Sequence, residues 1–263
     1  MNLTNTLRIE WLVLRSKKPF WLVLALSFLV GAFISILIVL IHMYGAQGET
    51  VHPVIQALGQ NASAVAGRTL WVSNLYIIPL LLLLIACDSI ASERSSNRLR
   101  DSALQPVSRN QLMMTKILSH SLLSIACAAL TGLPALLIGG LYFQSIGPVL
   151  DIGLAYMLSA MGNVAIMALG MYLSTMLHSA GFAAISTIII LIAEKIIRAM
   201  LQLSEPVFGF SIPESILHFF PGHALEAWSG WNSAWSIGAI LGLIGMTVAI
   251  HWLLFRRFQK LKL

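Results

Sequence analysis

Long apolar runs alternate with short polar stretches along this chain, and the runs predict its architecture. Five of them, at 20–43, 70–91, 121–143, 152–176 and 234–255, reach the ~20 residues that a helix needs to cross the hydrocarbon of a bilayer. A sixth opens near Gly181 and stays apolar through Ala193. It then carries Glu194, Lys195 and Arg198 before apolar character returns at 199–201, so its charged end is expected at the interface or inside a helix bundle. The pattern predicts an all-α integral membrane protein with six spans in a single transmembrane domain over 1–263.

Two flanking segments complete this picture. Within 1–18, Leu3, Leu7, Trp11 and Leu14 recur three or four apart with Arg8, Glu10 and Arg15 between them, the spacing of an amphipathic helix lying along the membrane surface. Before the last span, 202–233 sets Pro206, Pro213 and Pro221 among Phe208, Phe210, Phe219, Phe220, Trp228 and Trp231. Proline forbids one continuous helix and the aromatics favour the headgroup zone, so short re-entrant or interfacial helices in a hydrophobic hairpin are expected.

Composition agrees with a bilayer as the solvent: of 263 residues 58% are hydrophobic and only 10% charged, against ~25% charged in a soluble domain. The net charge of +6 does not point to nucleic acid, because the basic residues gather at the ends of apolar runs. Arg8, Arg15, Lys17 and Lys18 precede the first span; Arg94, Arg98, Arg100, Arg109 and Lys116 follow the second; Arg256, Arg257, Lys260 and Lys262 follow the last. With six spans these clusters share one side, and the bias of Lys and Arg towards the cytoplasm places both termini there. The first run is too long for the 7–15-residue core of a signal peptide and is expected to stay in the mature chain. Cys87 and Cys127 lie inside apolar runs without ligand spacing and read as packing residues.

The most informative polar stretch is the connection at 92–108, continuing into the third span. A short charged helix must end before Pro106, and Ser108 followed by Gln111 has the capping-box spacing that starts a new helix at Arg109. The order Glu93-Arg94, Leu99, Pro106-Val107-Ser108-Arg109, Leu112 and Lys116 resembles the segment after the second span in type-2 ABC exporter permeases. Similarity at the level of residues is confined to 93–116, with Asn97-Arg98 standing where the family often has Gly-Thr; the layout of helices is similar over nearly the whole chain.

The resemblance implies the transmembrane permease subunit of an ATP-driven exporter, a dimer of permeases in the inner (cytoplasmic) membrane. In such permeases the segment is a coupling helix that docks into the ATPase subunit, which makes Glu93, Arg94, Arg98, Leu99, Arg100 and Asp101 the docking candidates, with Pro106, Ser108 and Gln111 as corner and cap. No Gly-x-x-x-x-Gly-Lys-Ser/Thr phosphate loop occurs, so ATP and its Mg²⁺ belong on a separate ATPase subunit, and this chain is expected to bind no cofactor and catalyse no reaction. The substrate path would run along the interface with a second permease copy.

Met157, Met161, Met167 and Met171 crowd the fourth span and His42, His52, His218 and His223 fall on the non-cytoplasmic side, ligand types suited to copper(I); a relative of such permeases serves copper-site assembly. The five-residue step from His218 to His223 is off one helix face, and Met is common in adaptable cores. An embedded enzyme would have to use Asp88 or Glu194, since no His-Glu-x-x-His or Gly-x-Ser-x-Gly motif is present. A secondary transporter would show paired broken helices, and only the late hairpin is broken. Glu194, Lys195 and Arg198 remain gating candidates, with Glu194 and Arg198 spaced to neutralise each other. Gly238 and Gly242 offer a face for close helix approach.

Overall fold

A computed structural model describes residues 3–45, 61–95, 108–177, 179–202 and 237–260. Among them every regular element is a helix: α1 (Leu3–Ser16), α2 (Lys18–Gly45), α3 (Ala62–Val72), a π-helical turn (Ser73–Ile77), α4 (Ile78–Ser95), α5 (Arg109–Phe143), α6 (Val149–Met176), α7 (Ala180–Gln202) and α8 (Ile237–Gln259). Five stretches are long and apolar enough to cross a bilayer: Lys18–Gly45, Arg109–Phe143, Val149–Met176, Ala180–Leu201 and Ile240–Gln259. The run at 70–91 falls instead on α3, the π turn and α4, whose backbone continues helically through both junctions. The hairpin expected at 202–233 lies, but for its first residue, outside the described residues.

The π turn has a cause in the sequence. Pro79 cannot donate an amide hydrogen to the preceding turn, and its ring crowds the carbonyl four residues back. The backbone relaxes by widening one turn, so that the amide of Ile78 reaches the carbonyl of Ser73, five residues earlier. Asn74, in this turn, donates from Nδ2 to Ser159 Oγ on α6, and Asn163 Nδ2 donates to Asn74 Oδ1 at 3.4 Å. Both polar atoms of the Asn74 amide thereby find partners inside the protein where lipid could supply none.

α5 and α6 are the hub. α5 packs along α2, α3 and α6, while α6 also meets α4, α7 and α8 and is the most enclosed of the spanning candidates. At its 35 residues α5 is about 50 Å long, well beyond the ~30 Å hydrocarbon, so its first turns stand outside the apolar layer. At the opposite end, Asn61 caps α3 by accepting from the amide of Ala64 (2.9 Å). The amides of Ala62 and Ser63 reach the carbonyls of Ser145 and Ile146, which sews α3 to the α5–α6 turn.

α1 is the amphipathic helix expected at 1–18, but its inward face differs from the apolar stripe alone. Thr6 and Leu14 are buried, and Glu10 lies between them on the same face. Trp11 meets Phe20 edge to face at 5.5 Å, and Trp21 Nε1 donates to Arg15 O (3.0 Å), fixing the bend from α1 into α2.

Candidate functional site

The connection after the second expected span has two described flanks, the end of α4 and the start of α5. Arg98, Leu99, Arg100, Asp101 and Pro106 lie outside the described residues. Ser108 is the N-cap of α5: its Oγ accepts from the amide of Gln111, and Gln111 Oε1 accepts from the amide of Ser108, both at 3.2 Å. Two orphan amides at the helix start are thereby satisfied, and α5 begins without fraying.

Glu93 does not face outward as a docking contact would. It is 8% exposed, and its Oε2 lies 2.7 Å from Lys116 Nζ on α5. Glu10 Oε1 of α1 approaches the same ammonium at 2.8 Å. Lys116 is completely buried, so its ammonium ties carboxylates of α1 and α4 to α5 at a node formed by three helices. Lys17 on the α1–α2 bend pairs with Asp88 at 2.9 Å, but these side chains are 22% and 42% exposed. Solvent screening leaves such a pair at about 0–1 kcal/mol, so the mechanical tie at this end rests on Lys116.

Both flanks are also fastened to other helices. Arg94 Nη1 donates to Thr175 O (3.2 Å) in the last turn of α6, where the carbonyls are unpaired and the helix dipole favours a cation. Arg109 Nη1 donates to Gln259 O (2.9 Å) at the end of α8, and Gln259 Nε2 donates to Asn110 Oδ1 (2.9 Å). The described ends of the connection are thus joined to α1, α6 and α8, and through Lys116 to each other.

The remaining candidates fall elsewhere. Glu194 Oε1 and Arg198 Nε stand 3.1 Å apart on α7, both buried, whereas Lys195 is exposed. Of the methionines, Met167 and Met171 belong to the central core, Met161 packs near Leu158 and Leu243, and Met157 is exposed, so they do not converge on one point. His42 meets Tyr142 Oη at 3.3 Å and stacks edge-on against Phe143; His52, His218 and His223 lie outside the described residues. No cluster of His, Cys, Asp and Glu able to hold a metal ion forms among the described residues. Sequence reasoning missed Glu10 and the inward role of Lys116; the one signal available was that Glu10 is the sole acid within 1–18.

Comparison with known proteins shows the family of the chain. Residues 6–202 match the family model described as ABC-2 family transporter protein. No curated protein matches the chain.

Proposed function

The chain belongs to the ABC-2 transporter family, whose members are membrane subunits of transporters, and from that premise we propose that it is the permease of an ATP-driven exporter, worked by a separate ATPase subunit. The observation that carries the proposal is the bracing of the 96–107 connection. Its preceding flank is held by Glu93 and Arg94, and its following flank by Ser108, Arg109 and Lys116. A push that reaches either flank is passed to α4, α5, α6 and α8 through these contacts. In this reading Arg98, Leu99, Arg100 and Asp101 meet the ATPase, Pro106 turns the corner, and Glu93 anchors the lever. Two copies flank the substrate path, six spans including 70–91 cross the inner membrane, and both termini are cytoplasmic. Glu194, Lys195 and Arg198 line the outer end of that path. A copper-assembly role has less behind it, because the described methionines are dispersed.

The double variant Arg98→Glu/Arg100→Glu tests docking. Reversed charges at an interface cost several kcal/mol, so co-purified ATPase and transport-linked ATP hydrolysis should each fall at least tenfold. Pro106→Ala should leave docking intact and loosen only the corner. Normal ATPase recovery and turnover with the well-expressed double variant would reduce the segment to a topogenic loop. Sidedness has its own check: Gln47→Cys and Glu226→Cys should react with an impermeant thiol reagent in intact cells, and Arg109→Cys should not. Reaction at position 109 would overturn the topology.

A further inference from the structure

A groove of about 800 Å³ runs between α5 and α8, within the ~300–1,000 Å³ range of small-molecule sites. Its walls are mainly apolar, built by Met114, Ile117, Val164, Val248, Trp252 and Phe255, with Ser121, Thr247 and His251 among them. Its mouth is polar, formed by Asn110, Gln111 and Gln259, and among the described residues no acidic side chain lines it. Two guanidinium groups contact its lining residues: Arg256 lies 4.3 Å over the Trp252 ring, and Arg109 donates to Gln259 O. Along α5 the lining runs from Gln111 to Ser121, about 15 Å at 1.5 Å per residue, which is half of the ~30 Å hydrocarbon. On α8 the lining runs from Thr247 to Gln259, about 18 Å, within the spanning stretch Ile240–Gln259, so the groove opens at the basic interface and extends into the leaflet on that side.

We propose that this groove is a binding site for one anionic phospholipid of the leaflet on the basic side, its acyl chains along Trp252, Val248 and Ile117 and its phosphate at Arg256. The charge pattern selects this occupant. Basic pockets between spanning helices attract anionic headgroups, and a cation above an aromatic ring is already partly desolvated for such a contact. A second copy of the chain fits less well, because a two-fold contact through this face would set each basic mouth against its equivalent. The lipid would wedge α8 against α5 at the end where Gln259 meets Arg109 and Asn110. The inference stands on the multi-span membrane fold and is independent of how the ATPase docks.

The full-length protein, purified in mild detergent and reconstituted in nanodiscs of phosphatidylcholine with a minor share of phosphatidylglycerol, provides the test by native mass spectrometry. One retained phosphatidylglycerol per chain is expected, in excess over its share of the mixture. Arg256→Gln should lower that enrichment by about threefold or more, and Ser121→Phe, which fills the groove from α5, should abolish retention. Enrichment equal to that of phosphatidylcholine, or retention unchanged in both variants, would overturn the proposal. So would a lipid-free parent protein whose dimer is broken by Ser121→Phe, which would make this face an interface between copies. Thermal unfolding of each variant distinguishes a lost site from a lost fold. If Ser121→Phe is misfolded, enrichment in Arg256→Gln decides.

Discussion

Lys116→Met is expected to destabilise the protein by about 3–5 kcal/mol, the cost of breaking a buried ion group by removing one partner. The substitution preserves length and apolar volume, so little of the loss comes from packing. What it leaves is Glu10 Oε1 and Glu93 Oε2 facing one another where the ammonium had been 2.8 and 2.7 Å away, with neither side chain more than 11% exposed. With the ammonium gone, Glu10 loses the contact that ties α1 to α5, and Glu93 loses its contact with α5. Glu93→Gln should cost less, since Lys116 keeps Glu10. The triple variant Glu10→Gln/Glu93→Gln/Lys116→Met should recover most of the loss, because replacing a whole buried ion group by neutral residues is often nearly neutral. Thermal unfolding in detergent, followed with folded yield by size exclusion, reads all three. A Lys116→Met protein that melts with the parent would mean that the node is hydrated and contributes little.

The same node divides what the sequence could say from what it could not. Spans are legible because a bilayer imposes one requirement on every residue of a segment, so runs such as 20–43 and 152–176 announce themselves and the helices cover them. The capping geometry at Ser108 depends on residues three apart and is legible for the same reason. The pairing of Glu10 with Lys116 is set by tertiary approach across 106 residues, and no local spacing encodes it. Amphipathic periodicity assigned Glu10 to the solvent, where a lone acid in a basic helix would ordinarily lie; a buried cation on α5 overrides that assignment. The π turn fell between these cases. Pro79 was visible inside the second apolar run, but whether a spanning proline kinks, bulges or ends a helix depends on what neighbouring helices supply, here Ser159 and Asn163.

Resistance at the basic end of the bundle requires the helices to be locked further along, and the lock between α2 and α5 is made of small residues. Ser27, Gly31 and Ser35 recur at four-residue steps on α2, all buried, a face that lets two backbones approach closely. Thr131 Oγ1 on α5 donates across the seam to Ser27 O (3.3 Å), and Ser35 Oγ lies 3.0 Å from Thr131's counterpart on α3, Thr69 Oγ1. At Gly31 there is no space for a side chain: a Cβ would strike the backbone oxygen of Thr131 and lie 2.8 Å from its Cα. Because the obstacle is main chain inside a helix, no rotamer change can relieve it, and α2 would have to move off α5. Gly31→Leu should therefore cost about 3 kcal/mol or more, at the upper end of overpacking effects, with loss of the Thr131–Ser27 contact. Gly153→Ala on α6 is the control, since nothing lies within 4 Å of its Cβ; a helical glycine exchanged for alanine there should be neutral or gain up to ~1 kcal/mol. Thermal unfolding of the two variants in the same detergent separates them. A Gly31→Leu protein as stable as Gly153→Ala would show that α2 and α5 do not meet backbone to backbone, and the rigid path from the 96–107 connection into the first span would be lost with that contact.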